Sequence, residues 1–118
     1  SEWIEVSSQA AQDINLAKTQ GKKIIAVGTT GVRALETTAL NGKNKQLKPF
    51  SGDTRLYILP GYGFKIVDTL ITNFHTPYST NLVLISSFCG LKLTQKAYLY
   101  ARKNNFRFYS FGDAMLVI

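Results

Sequence analysis

Asp68-Thr69-Leu70-Ile71-Thr72-Asn73-Phe74-His75-Thr76-Pro77-Tyr78-Ser79-Thr80 is the stretch around which the chain is organised. It opens as a strand, with Leu70, Ile71 and Phe74 apolar and β-branched residues between them. It closes in a polar corner, and a helical pattern begins at Ser79 or Thr80. Asn73, His75, Ser79 and Thr80 therefore fall in one strand–loop–helix junction. Such a junction directs several polar side chains to one point, and the free N–H groups of the helix start are open to an anion. His75 is the only histidine. Its unperturbed pKa near neutrality suits proton transfer or substrate orientation; a hydrogen-bonded structural histidine is the plain alternative. One histidine and one distant cysteine, Cys89, do not make a zinc set, so no metal is expected.

Upstream of this stretch the pattern alternates. Trp3-Ile4-Glu5-Val6 reads as a strand, and Ser7 or Ser8 caps a helix that Gly21 ends. Lys23-Ile24-Ile25-Ala26-Val27 is a compact apolar run of the kind buried in a parallel sheet. Gly28-Thr29-Thr30-Gly31 turns the chain into a second helix, 32–40. Residues 41–53 are polar and basic, with turn signals at Asn41-Gly42 and Ser51-Gly52-Asp53, and read as an exposed loop. Arg55-Leu56-Tyr57-Ile58-Leu59 reads as a strand stopped by Pro60-Gly61-Tyr62-Gly63. Downstream, 82–89 is apolar nearly all round and should be a buried helix closed by Gly90. Residues 94–103 form an amphipathic helix with Leu93, Ala97 and Tyr100 inward, and 114–118 is the last strand. The expected fold is a layered α/β sandwich with a largely parallel sheet.

A chain of 118 residues makes one domain or a piece of one. It has no apolar run long enough to cross a membrane, and its acidic start is unlike a signal peptide. A lone cysteine cannot form an internal disulfide, which fits a reduced cytosolic setting. The absence of an initiator Met suggests a processed or truncated chain. The formal charge is +7, from 14 basic and 7 acidic side chains. One basic group is Lys22, Lys23, Lys43, Lys45 and Lys48; another is Lys92, Lys96, Arg102, Lys103 and Arg107. Each is either a solvated face or a surface for phosphates.

Three further groups carry chemistry or its plain alternative. Gly28, Thr29, Thr30 and Arg33 sit where a strand opens into a helix, offering close backbone approach, hydroxyls and a positive helix end. The turn is neither a Walker loop nor a dinucleotide fingerprint, and an ordinary βα turn has the same look. Arg33 and Glu36 share a helix face and are placed to pair. Tyr62 between two glycines is either a turn residue or a stacking surface for a base. Asp113 follows a glycine just before the last strand. It either bonds its own turn or anchors a cationic group or a sugar hydroxyl.

Taken in order, the block from Ala26 to Glu36, then Pro60-Gly61-Tyr62, then the block from Asp68 to Thr80, then the block from Phe106 to Met115 resemble the S-adenosylmethionine:tRNA ribosyltransferase-isomerases of queuosine biosynthesis. The Thr72-Asn73-Phe74-His75 run with Pro77 and Ser79-Thr80 is the most specific part, and the likeness runs over essentially the whole chain. Gly31 stands where a larger residue is common in that family, and Asn81 where an apolar one is common. Members of the family are longer, with an α/β domain and an inserted β-barrel. The resemblance therefore implies that residues 1–118 are the C-terminal part of the α/β domain of a two-domain enzyme, without the barrel and the N-terminal portion, and inactive alone.

The resemblance implies transfer and isomerisation of the ribosyl part of S-adenosylmethionine. The acceptor is 7-aminomethyl-7-deazaguanine at the tRNA wobble position. The product is epoxyqueuosine, with adenine and methionine released. S-adenosylmethionine is a consumed co-substrate and no cofactor is tightly bound. It implies a cytoplasmic, monomeric full-length enzyme, with His75, Asn73 and Asp113 as catalytic candidates. Gly28, Thr29, Thr30, Arg33, Glu36, Tyr62, Thr72, Ser79 and Thr80 are the substrate-binding candidates. Two other readings stand beside it: a nucleic-acid-binding module without chemistry, and a nucleotide-binding domain of a different α/β enzyme.

Overall fold

The computed structural model describes residues 1–42, 46–76, 79–109 and 112–118. Lys43 and Lys45 of the first basic group, Pro77 and Tyr78 of the corner, and Ser110 and Phe111 of the last turn lie outside them. The elements run β1 (Glu2–Val6), α1 (Ser8–Thr19), β2 (Ile25–Val27), α2 (Thr29–Leu40), β3 (Phe50–Thr54), β4 (Thr69–Asn73), α3 (Thr80–Cys89), α4 (Leu91–Lys103) and β5 (Ala114–Val117).

Local chemistry sets the helix starts. The Ser7 hydroxyl accepts from Ala10 N at 3.1 Å and the Ser79 hydroxyl from Leu82 N at 3.1 Å, each satisfying one orphan donor of a first turn. Gly28 begins α2 with φ 86°, a left-handed conformation that costs a side-chain-bearing residue energy. Beyond Thr80 no residue of α3 is fully exposed, and Leu84, Ile85 and Ser86 are buried, as the all-round apolar sequence requires.

The expectation of a largely parallel sheet is corrected. β2 and β4 are parallel, with Ala26 beside Leu70. β4 and β5 are antiparallel, with Ile71 beside Leu116, and β1 and β3 form a separate antiparallel pair. The reason is connectivity. A single crossing helix returns the chain to the start of a parallel neighbour. Two packed helices, α3 and α4, stand between β4 and β5 and deliver the chain to the opposite end.

Two element assignments also change. The strand lies at 50–54, overlapping the end of the 41–53 stretch read as a loop, and 55–59 is not a strand among the described residues. Segment 55–59 alternates as a strand would, with Ile58 buried and Tyr57 and Leu59 exposed, but Ile58 is buried by packing without a ladder. Phe50-Ser51-Gly52-Asp53-Thr54 is polar and pairs through its backbone with β1, from Val6 beside Phe50 to Glu2 beside Thr54. α4 is turned by one residue from the expected face. Leu93 and Tyr100 are exposed and Ala97 is half-buried, while Thr94 and Ala101 are buried. Thr94 Oγ1 donates to the Gly90 carbonyl at 2.8 Å and Tyr98 meets Phe74 edge to face, and these anchors choose the face.

The core gathers Val32 of α2, Leu70 of β4, Leu84 and Ile85 of α3, Val117 of β5 and Ile58. It lies on one side of the three-stranded sheet. The other side is open: Val27, Ile71 and Leu116 stand in register across β2, β4 and β5, with Val27 72% and Leu116 56% exposed.

Candidate functional site

The corner after β4 is built on an aromatic hub. Phe74 is buried against Tyr98, Phe106 and Phe108, with ring centroids 5.2, 5.8 and 5.3 Å away. This holds His75 half-buried at the surface. The His75 backbone N–H donates to the Tyr98 hydroxyl at 2.9 Å, and its Nε2 lies 2.8 Å from Oγ1 of the buried Thr72. Burial lowers the His75 pKa below its ordinary 6.5, so the ring is neutral at neutral pH. One tautomer donates Nε2–H to Thr72 and leaves the Nδ1 lone pair as a base; the other accepts from Thr72 and leaves Nδ1–H as a donor. Burial also raises the Tyr98 pKa, and the amide of His75 opposes that rise. Tyr98 was missed in the sequence; its signal was an aromatic one helical turn beyond Thr94.

Asn73 and His75 are not brought together by hydrogen bonds. Alternation along β4 puts Thr72 on the covered side with Leu70 and Asn73 on the open side with Ile71. Asn73 Nδ2 donates to the Asp113 carbonyl at 3.4 Å, tying the end of β4 to the start of β5. The Asp113 carboxylate accepts from Arg107 N at 2.7 Å, while Asp113 N donates to the Arg107 carbonyl at 2.8 Å. Asp113 thus reaches the corner through its backbone, and its side chain closes the turn. Gly112 is required there: a methyl group at this position would lie 2.5 Å from the Arg107 carbonyl oxygen and 2.6 Å from the Phe108 carbonyl.

The Gly28 turn forms a neighbouring wall. Gly28 N donates to the Ile71 carbonyl at 2.8 Å, fixing the α2 start beside the end of β4. Thr29 is buried and Thr30 is exposed. Arg33 spans from α2 to α3: its Nη2 donates to Thr80 Oγ1 and to Asn81 Oδ1, both at 3.2 Å, and its Nη1 stands 3.7 Å from Glu2 Oε1. Asn81 is therefore part of this wall. Ser79 is the cap of α3. Thr80 lines a cleft of about 260 Å³ together with Glu2, Arg33, Arg55 and Tyr57. Glu2, Arg55 and Tyr57 gave no signal in the sequence, because distant segments bring them together.

Arg33 and Glu36 do not pair. Glu36 is fully buried, and its carboxylate accepts from the Tyr62 hydroxyl at 3.0 Å and from three backbone N–H groups, Lys65 at 2.8 Å, Ile66 at 2.9 Å and Val67 at 3.0 Å. Those bonds hold the segment leading into β4. Burial first, and then the Glu36 charge, push the Tyr62 hydroxyl far above its ordinary range. The Tyr62 ring is half-buried, edge-on to Phe64 at 5.1 Å and covered by Lys65 Nζ at 4.7 Å.

Among the described residues no three His, Cys, Asp or Glu side chains gather to hold a metal, and no helix is long and apolar enough to cross a membrane. Lys92, Lys96, Arg102 and Lys103 are exposed on the outer side of α4, the helix whose inner side holds Tyr98 against the corner.

The crystal structure of an S-adenosylmethionine tRNA ribosyltransferase from Thermotoga maritima matches with a TM-score of 0.92 at 42% sequence identity. The match covers 100% of this chain and 41% of that chain, so this chain spans less than half of that protein's length. The family model described as queuosine biosynthesis protein matches residues 1–117, and the chain belongs to that family.

Proposed function

We propose that this chain is the C-terminal part of the α/β domain of a longer tRNA-modifying ribosyltransferase-isomerase. In this reading the whole enzyme transfers and isomerises the ribosyl part of S-adenosylmethionine onto 7-aminomethyl-7-deazaguanine at the wobble position. Adenine and methionine leave, and the enzyme works in the cytoplasm as a monomer. The observation that carries the reading is the pair of polar clusters at one end of the sheet. The His75–Thr72 pair and the Arg33–Thr80 wall both sit beyond the carboxyl ends of the parallel pair β2 and β4, where open α/β sheets bind ligands. A neutral, half-buried imidazole is suited to remove a ribose proton made acidic by the sulfonium and, protonated by that step, to pass the proton to the departing adenine. Helix starts and Arg33 supply positive potential for anionic groups.

The test is a tRNA-dependent assay of the longer polypeptide with S-adenosylmethionine labelled in the ribose. Label should enter tRNA, and the isolated 118-residue chain should transfer none, because half an enzyme neither encloses nor positions its substrates. Binding of tRNA without transfer by the longer polypeptide would favour the non-catalytic module.

The outer side of α4 is proposed to meet tRNA phosphates. Binding should weaken as salt rises, and charge reversal at Lys92, Lys96 or Arg102 should make the slope of log K against log salt shallower by about one or more per site. Equal slopes in wild type and all three variants would remove α4 from the interface.

A further inference from the structure

Among the described residues two that are not glycine hold a left-handed backbone, Asn105 at φ 58° and Tyr109 at φ 71°. Asn105 lies just past the end of α4, where an asparagine in this conformation commonly closes a helix. Tyr109 follows no helix, and its bulky side chain makes the conformation costly. Packing does not recover that cost, because the residue is 60% exposed. The chain around it enforces the conformation instead. Tyr109 N donates to the Phe74 carbonyl at 3.0 Å, and the Tyr109 carbonyl accepts from Gly112 N at 2.9 Å. The two bonds between Arg107 and Asp113 close the same turn. Strain that the surroundings hold in place gathers at ligand clamps and active sites. Here it holds an aromatic residue out in water, on a backbone joined to the Phe74–His75 peptide.

The surroundings name the ligand. Arg102, Lys103 and Arg107 are exposed, and no acidic residue interrupts 102–107. Asp113, 4.0 Å from the Arg107 guanidinium, offsets part of one of these charges. The exposed Tyr100 ring meets Phe106 at 5.9 Å, and Phe106 meets Phe74 at 5.8 Å. Rings thus run from the end of α4 back to the hub beneath the corner. Aromatic rings interleaved with cations suit an unpaired nucleotide, whose base stacks while its phosphates meet the charges. S-adenosylmethionine has no phosphate and carries a sulfonium, so these cations do not select it.

We propose that Tyr109 stacks against an unpaired base of the RNA substrate, with Arg102, Lys103 and Arg107 holding the neighbouring phosphates. Resting on the functional reading above, Tyr109 is then the residue that tells a single-stranded loop from a duplex beside the His75 corner. Bases within a duplex already stack on one another and offer no free face. The strained turn keeps the ring presented before RNA arrives, so little ordering cost falls on binding.

The test measures binding to the longer polypeptide, independent of turnover, with two probes: an RNA stem-loop with an unpaired loop, and a blunt RNA duplex with the same number of phosphates. Tyr109→Gly removes the ring and the strain together. It should weaken stem-loop binding about tenfold or more and leave duplex binding unchanged. Its melting temperature should stay close to wild type, since relief of strain offsets the freer unfolded chain. Tyr109→Asn also tolerates a left-handed backbone and should behave alike. Tyr109→Phe keeps the stacking face and should bind the stem-loop within about twofold of wild type. Stem-loop binding as tight as wild type in the glycine and asparagine variants would overturn the proposal. So would an equal loss for both probes, the mark of a residue that only shapes the turn. Weaker S-adenosylmethionine binding with stem-loop binding unchanged would give the ring to the other substrate and also overturn it. Failure of the functional reading looks different: the stem-loop preference and its dependence on Tyr109 intact, with no ribosyl label entering tRNA.

Discussion

Replacing Glu36 by leucine should cost this fold several kcal/mol, more than any other single substitution considered. The carboxylate stands inside the core at 0% exposure and serves four donors at once. Leucine fills similar space but leaves the N–H groups of Lys65, Ile66 and Val67 without an acceptor. Each buried group left unpaired costs about 1–3 kcal/mol, so the buried Ile66 and Val67 groups amount to roughly 2–6 kcal/mol, to which the part-buried Lys65 N–H adds less. Domains of this size are stable by only about 5–15 kcal/mol. Glu36→Leu should therefore unfold the isolated chain in water and lower the melting temperature of the longer polypeptide sharply. Glu36→Gln keeps one acceptor oxygen and presents an NH2 to donors that need an acceptor, so it should fall between. Tyr62→Phe removes one partner only and should cost about 1 kcal/mol. Urea unfolding of the three variants gives the order. A Glu36→Leu chain as stable as wild type would mean that segment 65–67 finds other acceptors. It would also reopen Glu36 as a substrate ligand.

The residues that carry Glu36's role show what a linear reading reaches. Helix α2 was legible, because a helix start is encoded within a few neighbouring residues, but it begins at Thr29, three residues before the expected Val32, so that Thr29, Thr30 and Gly31 belong to the helix and not to the turn. Equally legible were the start of α3 at Ser79 or Thr80 and β4 as a strand. Glu36 itself was read as a partner for Arg33, three residues away. Its true partners are 26 to 31 positions along the chain. The available signal was a carboxylate in line with Val32, which is fully buried, on the inward stripe of α2. A charge on such a stripe is retained only where several donors converge on it. Strand direction failed for a related reason: whether β5 runs with or against β4 depends on two helices packing as a pair. For β3, a polar segment became a strand because β1 offered it a ladder. The face of α4 was missed by one position because Thr94 and Tyr98, both with polar atoms, outcompeted Leu93 and Tyr100 for the interior.

For His75→Ala, turnover of the longer polypeptide should fall about a hundredfold or more, the usual scale for losing an acid–base group. Stability should change far less. The ring is half-buried, and removing it leaves Thr72 Oγ1 without one partner, a loss of about 1 kcal/mol. The backbone bond to Tyr98 survives the substitution, because it comes from the amide and not the ring. The pH profile supplies an independent check. Burial lowers the pKa of His75 from 6.5, so the neutral ring persists below the pH at which a free histidine would protonate. If the neutral ring is the base, turnover is flat from neutrality downward and falls only below 6.5. His75→Ala should then lose that acid limb along with its rate. The same shift has a stability consequence of matching sign. Between the lowered folded pKa and 6.5 the unfolded chain binds more protons, so wild type loses stability as pH falls through this window. The alanine variant should lose less there. A structural histidine predicts the reverse order: melting temperature drops first, and whatever remains folded keeps its turnover and its acid limb. The geometry favours the first outcome, since Phe74 already supplies the packing at this corner and His75 adds a polar edge to it.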